Sequence, residues 1–537
     1  PRGGAVFAFY DTHGTKDPEN PESNLMAIEA RDTTFQYNAA SAASHALGGA
    51  VWVNGGGTMS NCKFYNNTAT SSLHFGQDAN AGGGLYVQRS GMTEGDSNDG
   101  YIVLSKSSFV ENSVGPGGYG GGVYARGDSV VQIDDVDFVD NVATSSYSIK
   151  SAGGGVSFVS GVMAFVTGTN FTNNKAVPYH DDKDFQYYDF GYATDSKFTM
   201  PQPDGKSGEG GAMYLEGSSA IVESTSFTGN YCDSGCTDNG AQGGAVSIVS
   251  YNAGPDYTDG YNQNHTQSTF NNVDFSSNVA SSSDGPVDDK ASGRGGAVHV
   301  ASASPLFTNC LFYNNRVVAG GSKVSLGGAV NLYYAYTPND ALVHDKNRIP
   351  DFQNFIPGPQ FHQCRFVENK AQGQQLTPGE TANTLSLMQS GRGGAIASTA
   401  SKPYITNSTF LASSATAKRG SILPSMGGAI FLDYDSQTYV YGTEFKLDQA
   451  VFGAGSEIAS FATSRYKEGL DETFRYSEYV NNVNVPKLSD DPSDGINDST
   501  QLKLVFCSFE PVISQDHEIQ IDDIHSIWSS KSTILAF

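Results

Sequence analysis

The chain has 537 residues, is rich in Gly, Phe and Tyr, and carries only 31 Lys and Arg against 56 Asp and Glu, which gives a net charge of −25. This balance argues against nucleic acid and against an anionic membrane surface as partners, because binding phosphate requires clustered Lys and Arg. No run of 18 apolar residues is present, so no transmembrane helix is predicted.

A Gly-Gly motif followed by a small and an aliphatic residue recurs along most of the chain. It begins at Gly3, Gly48, Gly82, Gly120, Gly153, Gly210, Gly243, Gly295, Gly327, Gly393 and Gly427. A second motif, Phe-x-x-Asn, alternates with it, and two Gly-Gly motifs are 32 to 34 residues apart at their closest. A fixed period of this kind indicates a repeat architecture in which each unit contacts its neighbours.

After each Gly pair, the second and fourth residues are usually apolar and the third varies, as in Val51-Trp52-Val53 and Met213-Tyr214-Leu215. Period two predicts a strand with one buried face and argues against helical repeats. One unit cannot bury its apolar face alone, but stacked units can, with each strand pairing in parallel to its copy one coil away. The predicted fold is all-β, a right-handed parallel β-helix of about a dozen coils with long loop insertions, roughly 55–60 Å long.

The Asn of Phe-x-x-Asn is predicted to be structural, and the Phe is predicted to stack on the Phe of the next coil. Asn tolerates the left-handed backbone conformation, and its amide can bond to the same amide one coil away. The predicted ladder consists of Asn67, Asn112, Asn141, Asn174, Asn230, Asn278, Asn315 and Asn369.

The alternation of Gly-Gly-Ala-Ile/Val/Leu with Phe-x-x-Asn over about residues 3 to 448 resembles the repeats of chlamydial polymorphic outer-membrane proteins. More broadly, it is similar to passenger domains and surface proteins of the pectin-lyase-like β-helix superfamily. The resemblance implies the β-helix fold and is weak for function, since one fold hosts many functions. We do not carry the membrane anchoring of that family over to this chain.

Two regions are predicted: β-helix repeats over 1–450, and a degenerate last coil with a C-terminal cap or assembly segment over 451–537. The chain starts at Pro1 inside a repeat and without Met, so we expect a processed or partial chain. Long insertions are predicted at 175–209, 279–294 and 370–392 after the Asn, and at 7–34, 252–268 and 333–361 after the Gly-Gly strand. The Asp- and Tyr-rich insertion 175–209 is open to three interpretations: a Ca²⁺ site, a sugar-stacking surface, or a solvated loop packed on the rod.

Six cysteines are present, an even number that fits an oxidising compartment. Cys232 and Cys236 lie in one loop and can bridge locally, while Cys310 and Cys364 hold the same place in successive coils and are predicted to pair. Cys62 and Cys507 hold that place far apart along the rod, so we interpret them as small buried apolar residues.

Five N-x-S/T sequons predict N-linked glycans if the source is eukaryotic, at Asn66, Asn170, Asn264, Asn407 and Asn497. None of these residues is a member of the predicted ladder. Asn170 and Asn407 stand at odd offsets before Phe, so their side chains are expected to point outward. The remaining expectations on ligands are that no cofactor is required and that Ca²⁺ binding is open.

An enzyme would need two or three carboxylates on one outer face, or a Ca²⁺ cluster with a base. The best local cluster is Asp134, Asp135 and Asp137, but the positions equivalent to Asp137 in the neighbouring coils carry Ser or Asn. No catalytic or metal residue is therefore predicted.

The first hypothesis is a non-enzymatic extracellular or cell-surface glycoprotein, a fibre subunit that associates end to end with copies of itself or with other subunits. The alternatives are a surface adhesin that displays loops and binds carbohydrate, and a polysaccharide lyase or hydrolase.

Overall fold

The computed structural model describes residues 3–9, 26–71, 80–88, 101–145, 150–178, 208–234, 240–250, 267–282, 293–319, 324–335, 357–373, 390–417, 425–433, 436–451, 453–454, 457–461, 501–510, 524–527 and 533–534. All regular secondary structure in these residues is β-strand, and every pairing between strands is parallel except one isolated bridge. The chain is a right-handed parallel β-helix of about a dozen coils, as the repeat period predicts. Most predicted insertions, including nearly all of 175–209, lie outside the described residues.

The first sheet, here called the Gly-Gly sheet, has thirteen strands, each following a Gly-Gly corner where one is present. Its strands are Val6–Phe9, Val51–Asn54, Leu85–Gln88, Val123–Arg126, Val156–Val159, Met213–Glu216, Val246–Val249, Val298–Ala301, Val330–Tyr333, Ile396–Thr399, Ile430–Asp433, Ile458–Phe461 and Ile524–Ile527. The corner excludes side chains at its second Gly, because a Cβ on Gly328 would stand 1.9 Å from the carbonyl oxygen of Gly394 in the next coil.

The next sheet along each coil, the middle sheet, also has thirteen strands. They are Met26–Arg31, Gly56–Ser60, Tyr101–Ser105, Val130–Asp134, Met163–Thr167, Ser219–Glu223, Thr269–Asn271, Leu306–Thr308, Gln360–His362, Tyr404–Thr406, Gln437–Tyr441, Gln501–Val505 and Thr533–Ile534.

The Phe sheet has twelve strands, each with the motif Phe at its centre. They are Thr34–Gln36, Lys63–Tyr65, Ser108–Val110, Asp137–Val139, Asn170–Thr172, Ser226–Thr228, Asp274–Ser276, Leu311–Tyr313, Arg365–Val367, Thr409–Leu411, Glu444–Lys446 and Ser508–Glu510. The predicted ring stack is confirmed: it runs from Phe35 to Phe509 with centroids 4.3 to 5.1 Å apart.

The Asn sheet has eleven strands and follows the Asn of each motif. They are Ala39–Ala42, Thr68–Ser71, Ser113–Pro116, Val142–Ser145, Lys175–Pro178, Tyr231–Ser234, Val279–Ser282, Arg316–Ala319, Lys370–Gly373, Ser414–Thr416 and Gln449–Val451.

Short strands before the Gly-Gly corners form two further sheets, joined to each other by single bridges through Gln242 and Arg294. One contains Ala46–Leu47, Asn80–Ala81, Gly118–Tyr119, Ser151–Ala152 and Gly208–Glu209, and the other contains Val324–Leu326, Ser390–Arg392, Ser425–Met426 and Gly453–Ala454.

The Gly-Gly sheet is buried on both faces, which corrects the prediction of one buried face. Val51 and Val53 point into the main core with Phe64, while Trp52 between them belongs to a second apolar cluster that includes Tyr119 of a short strand. The alternation in sequence is therefore not an alternation of burial. The third residue after the Gly pair varies because it packs in this second cluster rather than facing solvent.

Candidate functional site

The asparagine ladder is a continuous hydrogen-bond column inside the rod. The Asn112 Oδ1 accepts from the backbone N–H and the Nδ2 of Asn67, at 3.1 and 2.8 Å. The Asn112 Nδ2 donates to the Phe64 carbonyl and to the Asn141 Oδ1, both at 3.0 Å. Each amide thus uses its donors and its acceptor within the column, which removes the cost of burying it.

The same contacts connect the members from Asn38, which the predicted ladder omitted, to Asn369. The donor and acceptor pairs run in chain order through Asn67, Asn112, Asn141, Asn174, Asn230, Asn278, Asn315 and Asn369. After Asn369 the column continues with Ser413 and then Asp448, whose Oδ1 accepts from the Ser413 backbone N–H at 2.6 Å.

The left-handed backbone conformation belongs to the residue before each ladder Asn, not to the ladder Asn itself, which corrects the prediction. Asn66 has φ of 50°, whereas Asn67 is not among the residues with positive φ. Two of the columns of left-handed residues along the rod lie on either side of the Phe sheet. The column before the ladder, here the ladder turn, contains Tyr37, Asn66, Glu111, Asp140, Asn173, Gly229, Ser277, Asn314, Glu368, Ala412 and Leu447. The column between the middle and Phe sheets, here the Phe turn, contains Asp32, Asn61, Lys106, Asp135, Gly168, Ser224, Asn272, Asn309, Gln363, Asn407, Gly442 and Phe506.

The cysteines two residues before the motif Phe share their position with Ser and Thr. The Cys364 thiol lies 3.5 Å from the carbonyl oxygen of His362, two residues earlier, as the Ser408 hydroxyl lies 2.9 Å from that of Thr406. Burial raises the pKa of the Cys364 thiol well above its usual range, and the neighbouring Cys310 adds to the rise. Side chains in this column therefore bond to the backbone that precedes them.

The structure gives no support to the predicted disulfides. Cys310 and Cys364 are stacked, buried and free, and Cys232 is also a buried free thiol, while Cys236 lies outside the described residues. Stacked side chains in a parallel sheet keep Cβ atoms about 4.8 Å apart, whereas a disulfide needs about 3.8 Å. Cys62 and Cys507 are free as well, one buried and one half-buried.

The second cluster, on the outer side of the Gly-Gly sheet, contains ionisable groups. The Lys150 Nζ lies 3.0 Å from Glu209 Oε2 and 4.6 Å above the ring of Tyr214, whose hydroxyl donates to Glu216 Oε2 at 2.9 Å. Burial, followed by the charges of the two glutamates, raises the pKa of Tyr214 well above its usual range. Lys150 offsets one of the two glutamate charges, and the polar groups of this cluster bond to one another.

His299 occupies the same column as Tyr214, further along the rod. Its Nδ1 lies 3.0 Å from Asn331 Oδ1. Burial, followed by the positive charge of Arg294, lowers the pKa of His299 to about 3. The imidazole is therefore neutral at physiological pH and buried inside the rod.

Asp448 and Glu457 form a buried carboxyl pair where the ladder ends. Asp448 takes the place of a ladder Asn, and Glu457 takes the place of the Ala after the Gly pair, since Ile458 pairs with Ile430. Both side chains are fully buried, and a hydrogen bond between the two carboxyl groups requires that one of them carries a proton. Burial raises the pKa of Asp448 to about 7, although hydrogen bonds from Glu457 and Ser413 oppose the rise.

Neither group of that pair was predicted. The sequence shows that the motif starting at Phe445 ends in Asp instead of Asn. Glu457 belongs to no repeat motif, and its place in the coil follows only from the pairing of Ile458 with Ile430.

Of the five predicted sequons, three fall in described residues and two, Asn264 and Asn497, fall outside them. Asn66 and Asn407 are exposed and lie in the ladder turn and the Phe turn, respectively. Asn170 is exposed on the Phe sheet, where its Nδ2 donates to Asp137 Oδ1 at 3.0 Å and its Oδ1 accepts from the Ser226 hydroxyl at 2.7 Å. Occupancy of the sequons stays a prediction.

The predicted carboxylate cluster is split by the strand geometry. Asp135 is a left-handed residue of the Phe turn, Asp137 is exposed on the Phe sheet and bonded to Asn170, and Asp134 ends a strand of the middle sheet. Within the described ranges, no three His, Cys, Asp or Glu side chains are grouped closely enough to hold a metal ion. In the same ranges, no helix has the length and apolarity to cross a membrane.

Comparisons of this chain with known protein families, with curated proteins and with solved structures found no match.

Proposed function

We propose that this chain is a non-enzymatic structural glycoprotein of the extracellular space or cell surface, a rod that builds a fibre by end-to-end association. The observation that carries the proposal is the axial continuity of the coils. The same ring stack extends over all twelve strands of the Phe sheet, from Phe35 to Phe509. Contacts of this kind add in one dimension, so a coil of another subunit can continue them.

The charge of the chain supports association at the ends over association at the sides. A net charge of −25 makes the lateral surfaces of two rods repel each other. The end of a β-helix instead offers backbone donors and acceptors, which pair with another strand regardless of side-chain charge. A head-to-tail contact that does not close produces an open filament.

Three titratable groups with large pKa shifts support a structural role over catalysis, because all three are fully buried. Catalytic acids and bases combine a shifted pKa with access to a cleft. Here Tyr214, His299 and Asp448 have shifted pKa values because they are buried within the rod. Their environment explains the shifts through packing, and a substrate would have to open the coils to reach them.

Electron microscopy of the native extracellular material tests this proposal. Thirteen strands in the Gly-Gly sheet correspond to a rod of about 58 Å. We expect filaments whose axial repeat is near the length of one rod or a simple fraction of it. Discrete single rods under the same conditions would contradict the proposal.

A second candidate is an adhesin that displays loops from a rigid rod. The insertions predicted from the sequence start at the same two places in several coils: after the Gly-Gly strand at 252–268 and 333–361, and after the ladder Asn at 175–209, 279–294 and 370–392. Segments that leave a solenoid at fixed places gather on particular faces, where they can contact a partner such as a glycan. Binding of the isolated rods to cells or glycan arrays distinguishes this candidate from the fibre.

A further inference from the structure

Two aromatic side chains are left largely uncovered by the fold. Among the aromatic residues of the described ranges, Tyr37 and Phe506 have the highest exposed fractions, 66% and 60%. Each is held by an edge-to-face contact with one tyrosine: Tyr37 with Tyr65 at 5.5 Å, and Phe506 with Tyr441 at 5.5 Å. A left-handed turn position does not call for an aromatic residue, since Asn, Asp and Gly adopt it at lower cost.

Each of these rings shares its turn column with a sequon asparagine. Tyr37 directly precedes Asn66 in the ladder turn, because its backbone N–H donates to the carbonyl of Tyr65, the residue before Asn66, at 3.1 Å. Coil spacing therefore places the two residues about 4.8 Å apart at their backbones.

Phe506 stands two coils beyond Asn407 in the Phe turn, with only Gly442 between them. The Asn407 Oδ1 lies against this glycine, since a Cβ there would stand 2.6 Å from the oxygen. No side chain of residue 442 therefore stands between Asn407 and Phe506, whose backbones are separated by two coil steps of about 4.8 Å each.

The presence of asparagine in these two turns is not by itself an indication of glycosylation. Other asparagines occupy the same two columns without a sequon: Asn61, Asn173, Asn272, Asn309 and Asn314. Left-handed geometry therefore explains Asn by itself. The exposed ring in the same column is the independent feature, because it supplies the apolar face on which a pyranose ring can pack.

We propose that N-linked glycans on Asn66 and Asn407 pack their first sugars on Tyr37 and Phe506, which form two sugar-stacking sites on the rod surface. This inference rests on the glycosylated, secreted state in the proposed function. Asn170 provides the contrast within the same chain. Its amide is bonded on both sides to Asp137 and Ser226, and its neighbours in the column carry no exposed ring. A glycan there gains no stacking contact.

The test is a thermal unfolding cycle on the full chain, secreted from a eukaryotic host and mapped by glycopeptide mass spectrometry. Asn66→Asp and Asn407→Asp remove the sugars while keeping the turns, because Asp140 and Asp135 already occupy the same two columns with φ of 54° and 55°. Tyr37→Ala and Phe506→Ala remove the rings. Thr172→Ala, which removes the sequon of Asn170 and leaves its amide in place beside Asp137 and Ser226, is the matched control.

We expect occupied sequons at Asn66 and Asn407. Tyr37→Ala should lower the melting temperature of the glycosylated chain by about 1–2 °C more than it lowers that of the Asn66→Asp background, because the contact with Tyr65 is lost in both. The same pattern is expected for Phe506→Ala and Asn407→Asp. Equal shifts with and without the sugar, or empty sequons at both positions, overturn the inference. Filaments in the native material would still stand in that case, so the two proposals fail separately.

Discussion

The middle of the asparagine ladder and its C-terminal end use the same column position for different chemistry. In the middle, Asn174 accepts two hydrogen bonds from Asn141 and donates two, to the carbonyl of Phe138 and to Asn230. At the end, Asp448 can accept but not donate unless it is protonated. An amide suits a column that must both donate and accept, and a carboxyl group suits it only with a proton. The hydrogen bonds in the middle of the ladder are therefore insensitive to pH, whereas those at its C-terminal end are sensitive to it.

The largest expected effect comes from breaking the ladder in its middle. Asn174→Ala leaves the Asn141 donors and the Phe138 carbonyl without partners inside the rod, so we expect a loss of about 3–5 kcal/mol of unfolding free energy. Ser413→Ala in the same column near the end removes a single hydroxyl and should cost less than about 1 kcal/mol. Urea unfolding of both variants measures the difference, and equal losses would refute the assigned role of the amide.

The Gly-Gly corner occurs in both regions, and a substitution there tests close packing without changing any polar or charged side chain. Gly328→Ala places a Cβ 1.9 Å from the carbonyl oxygen of Gly394 and should cost about 2–3 kcal/mol through forced separation of two coils. The comparison variant is Gly84→Ala, whose Cβ would stand 2.8 Å from the carbonyl oxygen of Gly122, at a place where other coils carry Ala, as Ala50 and Ala212 do. Comparable melting temperatures for the two variants would show that the corner tolerates a side chain.

The end of the ladder should respond to pH. The folded pKa of Asp448, about 7, is higher than that of an unfolded aspartate, so the folded state holds the extra proton. The contribution of Asp448 to the unfolding free energy is fully present below about pH 4. It is lost as the pH rises to about 7, by about 1.4 kcal/mol per pH unit. Asp448→Asn should abolish this slope in the residues around 436–451. Hydrogen exchange across pH 4–8 measures it, and an unchanged slope in the variant would contradict the assignment.

His299 should produce the opposite slope in the middle of the rod. Its folded pKa of about 3 is below that of an unfolded histidine, so the unfolded state binds the extra proton. Stability from this group is present above about pH 6.5 and is lost as the pH falls toward 3. His299→Asn, which keeps a donor toward Asn331, should flatten the acid limb. Hydrogen exchange at residues 298–301 measures this acid limb, and an equally steep loss of protection in His299→Asn would contradict the prediction.

The smallest expected effect is at the thiols. Cys364→Ser should change the unfolding free energy by less than about 1 kcal/mol, because Ser408 shows that a hydroxyl makes the same backbone contact in this column. Reductant should leave the melting temperature of the unmodified chain unaltered. A drop of several degrees on reduction that is absent in Cys364→Ser would instead establish the disulfide that the spacing of Cys310 and Cys364 suggested.

Much of the fold followed from periodicity, and the site did not. The alternation of Gly-Gly with Phe-x-x-Asn predicted the coils, the ring stack and the position of Asn67 and its copies. It did not predict that Asn66, rather than Asn67, takes the left-handed conformation, because both are Asn and the motif does not separate them. The pairing of Asp448 with Glu457 depends on contacts between positions in different coil columns, which no single repeat encodes.

The sequence by itself determined the repeat, the parallel pairing and the residues that stack, since each depends only on a column being occupied by the same residue type in successive coils. The tertiary structure decided the burial of Trp52 and Tyr214 on the second face of their sheet, the free thiol state of Cys310 and Cys364, and the exposure of Tyr37 and Phe506. These depend on which sheets of one coil face each other and on the coil spacing of about 4.8 Å. Both are properties of the closed coil and are absent from the linear order of residues.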